Sequence, residues 1–176
     1  PYRQNIWDTQ DNYIEIWIEK DALARIVEDV LAEWDHRIWI QPMRGYASYT
    51  CKQYALTRFV HHLNEGRNVV ILLLTDYDPS GKDLARDLIE FFGKLVHIEK
   101  IALTKEQIHK YNLPCNPAKV TDPRYSNDPD KIQVELDALR PDILQNLVKN
   151  AILEYFNLEA YQKVLEEEAA IQEKIE

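Results

Sequence analysis

Residues Val69–Gly81 read VVILLLTDYDPSG. Six apolar residues, Val69 to Leu74, run without a polar break. That is the pattern of a strand covered on both faces, as in a parallel sheet under helices. The run ends in Thr75, Asp76, Tyr77, Asp78, Pro79, Ser80 and Gly81. Ser80 with Asp83 has the form of a capping box, and Gly81-Lys82-Asp83-Leu84-Ala85 opens an amphipathic helix. Two carboxylates, one residue apart, therefore stand where a central strand passes into a helix. In open α/β sheets that carboxyl edge is where ligands bind.

Upstream, Tyr13–Ile18 alternates with Ile14, Ile16 and Ile18 on one face and predicts a strand that stops at Glu19. From Lys20 the spacing becomes helical, with Leu23, Ile26, Val27, Val30, Leu31 and Trp34 on one face and Asp21 in the first turn, where it suits the helix dipole. A short strand is expected over Arg37–Gln41. After the loop Pro42–Ser48 comes a helix capped by Ser48, with Cys51, Ala55, Phe59 and Leu63 inward and its end at Glu65-Gly66. Downstream, Leu84, Leu88, Ile89 and Phe92 are expected inward, followed by a strand over Leu95–Leu103. Thr104-Lys105-Glu106-Gln107 is a capping box that opens a short helix. Asn112–Asp130 is rich in Pro, Asn and Asp and long for a connection, hence functional or mobile. Ile132–Glu135 is expected to be a last strand. A helix starts at Pro141, Asn157 interrupts it, and Leu158–Ile175 forms another.

This alternation predicts an α/β fold, a mostly parallel sheet with helices on both faces plus C-terminal helices. Residues 1–12 are expected to be a linker or edge segment, with Trp7 facing a partner. Residues 13–114 form the core, 115–135 a loop with a possible last strand, and 136–176 a helical extension.

At 176 residues the chain makes one domain with a proper core. The net charge of -9 argues against a basic DNA-coating protein, although a metal ion can screen acidic groups that meet a phosphate. Glu166-Glu167-Glu168 is expected to be a solvated helix face. Cys51 and Cys115 are too few for a disulfide framework and point to a reducing cytoplasm. No apolar run reaches the roughly 18 residues of a membrane span, and no signal peptide is visible. The histidines, His36, His61, His62, His97 and His109, lack metal-site spacing and are expected at the surface or an edge.

Glu19 and the Asp76/Asp78 pair each follow a strand. If the two strands are neighbours, three carboxylates converge, and their repulsion raises a pKa unless a cation joins them. Hard oxygen ligands favour Mg²⁺, which takes one or two carboxylates and fills its shell with water and phosphate. A partly protonated Glu19 would serve as general acid or base. The plainer alternatives are a helix-start carboxylate at Glu19 and turn residues at Asp76 and Asp78. Lys20, Arg44 and Arg58 are candidates for phosphate or DNA contact, with surface or helix salt bridges as the alternative. Gly45 and Gly81 are expected to serve backbone geometry.

Trp17-Ile18-Glu19-Lys20-Asp21-Ala22-Leu23 and Leu74-Thr75-Asp76-Tyr77-Asp78-Pro79-Ser80-Gly81 resemble the Toprim domain, in the version carried by the A subunit of archaeal topoisomerase VI and the meiotic double-strand-break transesterase. Arg44-Gly45-Tyr46-Ala47-Ser48 with Thr57-Arg58 resembles that family's glycine loop and threonine-arginine helix. Ile101-Ala102-Leu103-Thr104 through Tyr111-Asn112-Leu113-Pro114 is similar to the segment after its last core strand. The resemblance implies a Mg²⁺-dependent DNA strand-cleavage module, with Glu19 in acid/base work and metal binding and Asp76 and Asp78 as metal ligands. Ser80 stands where other Toprim proteins carry a third acid, as in the topoisomerase VI-like branch. The family's nucleophilic tyrosine sits in a winged-helix domain ahead of Toprim. Only 12 residues precede the first strand here, so the resemblance places that domain outside this chain, or in a partner. From Ala118 onward the resemblance fades. Val120–Arg124 and Glu135-Leu136-Asp137 look like a group of uncharacterised Toprim-bearing proteins. The alternatives are a stand-alone nuclease, in which metal-bound water replaces the tyrosine, and a non-catalytic, cation-binding assembly domain; the partner expected besides DNA is a second copy or an upstream winged-helix domain.

Overall fold

In the computed structural model, residues 1–44 and 46–175 are described. Strand β3 (Asn68–Leu74) pairs in parallel with β1 (Asn12–Ile18) along its whole length, from Asn12 opposite Asn68 to Ile18 opposite Leu74. On its other side it pairs in parallel with β4 (His97–Ala102), and β1 pairs in parallel with β2 (Trp39–Pro42). The four-stranded order is β2-β1-β3-β4. All of β3 after Asn68 is buried, because it has a strand on each side and helices on both faces.

Helix α1 (Asp21–Leu31) carries the chain from β1 out to β2, and α2 (Tyr49–Asn64) returns it to the far side of β1, where β3 is laid down. The direction of winding therefore reverses between β1 and β3. Their carboxyl ends flank the crevice in which open α/β sheets take ligands.

One sheet face packs on α2 and α3 (Pro79–Phe92): Tyr13 lies 6.3 Å from Phe59, and Trp17 lies 5.8 Å from Phe92, centroid to centroid. The other face is covered by α1 and α5 (Pro141–Tyr155). Ser48 caps α2 through the Cys51 N–H, and the Thr104–Gln107 capping box opens α4 (Lys105–Lys110), both as the sequence predicts. Asn157 ends the α5 segment, and its side chain accepts from the Ala160 N–H at the start of α6 (Leu158–Ile175).

Several expectations are corrected. Trp7 does not face a partner. Ile6–Thr9 make a 3-10 turn, and Trp7 is buried against Tyr13 and Phe156. Glu168 leaves the solvated glutamate run to bind Arg37 with both carboxylate oxygens, each at 2.7 Å, and to accept the Gln4 N–H. His62 is buried as well, stacked 3.6 Å from Tyr13, and its Nδ1 accepts from Arg67. Ile89 is exposed, since the inward stripe of α3 is Leu84, Leu88 and Phe92 at four-residue steps and Ile89 lies round the corner. The expected last strand stays out of the main sheet. Asn116–Pro117 (β5) and Ile132–Gln133 (β6) form a separate antiparallel ribbon. Past it, Val134 exchanges both backbone hydrogen bonds with Tyr77, so residues 132–139 lie as a strap across the end of β3. Among the described residues no helix is long and apolar enough to cross a membrane.

Candidate active site at the carboxyl edge of the sheet

Because Ile18 and Leu74 are register partners, Glu19 and Asp76 emerge side by side. The Glu19 N–H donates to the Leu74 carbonyl at 2.9 Å, and the Asp76 N–H donates to Glu19 Oε2 at 2.9 Å. Asp76 is nine-tenths buried, and its Oδ1 accepts the Leu136 N–H of the strap at 2.7 Å. Asp78 is the N-cap of α3, its Oδ1 accepting the Gly81 N–H at 2.6 Å. The expected capping role of Ser80 thus falls to Asp78. Pro79 follows at the first helical position, where it has no N–H to satisfy and its fixed φ suits the helix. Each of the three carboxylates accepts a backbone N–H on one oxygen, and among the described residues the other oxygen accepts no hydrogen bond.

Gly81 lets this happen. A Cβ there would lie 2.2 Å from the Asp76 carbonyl oxygen. The first turn of α3 packs onto the end of β3 more closely than any side chain permits. Gly45, the other glycine of interest in the sequence, lies outside the described residues.

The electrostatics follow from crowding. Burial pushes the Glu19 carboxyl up to about 7, with the charges of Asp76 and Asp78 adding to the rise and the Asp76 N–H opposing it. Burial also raises Asp76, against the pull of the Leu136 N–H and Lys20. The edge holds a cation that the sequence did not single out. Lys100, on β4, sets its Nζ 3.5 Å from the Asp76 carbonyl oxygen, and burial pulls its pKa down to about 8 although Glu19 draws it up. A group near neutrality on each side of the crevice suits proton transfer at ordinary pH.

Lys20 Nζ lies 3.4 Å from Asp76 Oδ1, 3.8 Å from Glu135 Oε2 and 3.6 Å from Asp137 Oδ1. The other proposed phosphate contacts are placed differently. Arg44 is exposed and pairs with Asp21 on the first turn of α1. Arg58 does not reach this edge. It forms a two-pronged ion pair with Glu15, at 2.8 and 3.1 Å, and stacks on Trp39. Glu15 is fully buried midway along β1 and also accepts from Tyr13 Oη and Trp17 Nε1. Four residues of extended chain, roughly 13 Å, separate it from Glu19. Nor does the partner of Arg58 lie on its own helix, as a helix salt bridge would require.

Neither protein-family models nor curated proteins match the chain.

Hard carboxylate oxygens, one free on each acid, together with the like-charge repulsion that lifts Glu19, suit a hard divalent cation. Among the described residues no group of three or more His, Cys, Asp or Glu side chains is placed to hold a metal ion. An open arrangement of one or two carboxylates completed by water and phosphate is the usual habit of Mg²⁺.

Proposed function

We propose that this chain is a Mg²⁺-dependent module for phosphoryl transfer on a DNA strand, of the Toprim kind that its motifs resemble. The observation that carries the proposal is the meeting of Glu19 with Asp76 at the reversal point of the sheet, 2.9 Å apart through the Asp76 N–H, with the Glu19 carboxyl poised at about 7. Asp76 and Asp78 would hold the cation, whose chemistry is to neutralise and orient a phosphodiester oxygen. Glu19, half in its acid form near pH 7, moves a proton at the sugar oxygen that leaves or returns. Lys100, on the neighbouring strand, offsets the negative charge that a phosphate brings into the crevice.

The nucleophile comes from outside this set of residues. Tyr77, next in sequence to Asp76, donates its hydroxyl to Asp130, and burial together with that bond pushes its pKa up. Tyr46 likewise donates to Asp83 at 2.6 Å. Both hydroxyls are committed and hard to ionise. A tyrosine supplied by a winged-helix domain or partner fits the topoisomerase-like reading, whereas water fits a hydrolytic nuclease, for which Glu19 is a base of suitable strength.

The test is a Mg²⁺ titration followed by melting temperature and by nicking of supercoiled plasmid, with Glu19→Gln alongside. Glu19-dependent nicking supports the hydrolytic form. Mg²⁺ binding without nicking supports a nucleophile brought from elsewhere. A parent whose melting temperature ignores Mg²⁺ refutes the metal site and leaves an assembly domain.

A further inference from the structure

Glu135 and Asp137 have no part in the chemistry above, yet the strap presents both of them to Lys20. Leu136 between them is fully buried, and its N–H is the one that holds Asp76 Oδ1. With Leu136 anchored inward, its two neighbours reach Lys20 Nζ at 3.8 and 3.6 Å. Their side chains are 54% and 50% exposed, against 10% for Asp76. The Lys20 ammonium thus stands among three carboxylates, one deep and two shallow. None holds it at the roughly 2.7–2.9 Å of a tight charge-assisted bond. It is a shared counter-ion with somewhere else to go.

We propose that Lys20 is a resident stand-in for the divalent cation: it neutralises Asp76 while the site is empty and passes to Glu135 and Asp137 when the cation arrives. This inference rests on the metal-site reading of Asp76. Without Lys20, Asp76 would carry its charge buried, next to Glu19 and Asp78, at a cost that like-charge repulsion sets. Without Glu135 and Asp137, a cation displacing Lys20 would leave an ammonium with no partner beside a doubly charged ion. The strap acids make the exchange close to neutral. They act through Lys20 and not as ligands, so they are positioning residues.

The experiment is a thermodynamic cycle read by calorimetric titration with Mg²⁺ alone, on the parent, Lys20→Met, Glu135→Gln/Asp137→Asn, and the triple variant. Lys20→Met removes the competing charge, and Mg²⁺ should bind about tenfold more tightly, a difference near 1.4 kcal/mol. Glu135→Gln/Asp137→Asn should weaken binding by a comparable factor in the parent background and change it little in the Lys20→Met background. Lys20→Arg, which keeps the charge, serves as the folding control and should bind like the parent. Unchanged or weaker binding by Lys20→Met overturns the proposal. So does an effect of the strap substitutions that persists in full without Lys20, since the acids would then act on the cation directly. If the parent fails to bind Mg²⁺ in a manner abolished by Asp76→Asn, the metal reading falls and takes this inference with it. The first two failures leave that reading intact.

Discussion

Replacing Glu19 with Gln should make the metal-free protein more stable at pH 8 and leave it unchanged near pH 4. The Glu19 carboxyl ionises at about 7 in the folded chain, against 4.5 when unfolded. Between those values the folded state holds a proton that the unfolded state has lost, so stability falls as pH rises through the window. Above pH 7 the full penalty applies. The displacement is worth at most about 3 kcal/mol at 1.36 kcal/mol per pH unit, and solvent at the open side of the crevice trims it to about 1–3 kcal/mol. Gln keeps the acceptor for the Asp76 N–H, so the substitution removes charge and little else. One opposing contribution is built in: Glu19 helps to hold Lys100 charged, and losing it leaves that lysine less well compensated. The gain therefore belongs toward the lower end of the range. For a chain of this length it corresponds to a rise in Tm of about 2–8 °C at pH 8. The assay is urea or thermal unfolding of parent and variant at pH 4, 6 and 8 with a chelator present. A gap that is absent at pH 8, or equal at all three values, would show that Glu19 is not the strained acid described above. Added Mg²⁺ should then close the gap by stabilising the parent alone.

Other outcomes follow from the same geometry. Gly81→Ala drives a methyl group against the Asp76 carbonyl and should cost about 1–3 kcal/mol in urea unfolding while weakening Mg²⁺ binding. A variant as stable as the parent would mean that the helix can slide off the strand. Arg58→Ala strands the buried Glu15 carboxylate and should destabilise by about 3 kcal/mol, with DNA affinity of the folded fraction unchanged. Near-neutral stability with lost DNA binding would return Arg58 to the list of phosphate contacts. Lys100→Met should stabilise the metal-free protein at pH 7 by about 1–3 kcal/mol, because the lysine is charged there against its burial. That advantage should shrink as pH climbs from 8 to 10.5, where the unfolded lysine loses its proton too. Loss of activity in the same variant, measured by plasmid nicking or by cleavage with the supplied nucleophile, would place Lys100 at the phosphate.

The sheet was legible because its two inner strands announce themselves. β3 is apolar without interruption, and β1 puts an isoleucine at every second position. Their ends expose Glu19, Asp76 and Asp78, which parallel pairing is enough to bring together. Lys100 was not legible. β4 reads HIEKIA, half-buried along most of its length, and only its register with β3, Leu73 opposite Lys100, turns that lysine toward the acids. Arg58 was misplaced for the opposite reason. A glutamate within an alternating strand looks solvent-facing, but here the polar face lies under α2 and the charge is matched there by Arg58. The strand expected over Ile132–Glu135 was given the wrong place because its ribbon strands are two residues each, too short to carry a period. What locates it is hydrogen bonding to Tyr77 and Asp76 from far along the chain.

That distance bears on the order in which the molecule is assembled. The bond from Leu136 to Asp76 spans 60 residues, whereas every pairing within the main sheet is complete by residue 102. On an emerging polypeptide all four strands are present before the backbone donor of Asp76 and the outer acids of Lys20. By sequence separation alone the Leu136–Asp76 bond is no slower than the sheet, since Asn12 and Asn68 are 56 residues apart, and it is the order of synthesis that sets it apart. A nascent chain halted before residue 132 would lack the strap and also α5, which with α1 covers one sheet face, so the backbone donor of Asp76 and the completed second layer of the scaffold arrive together.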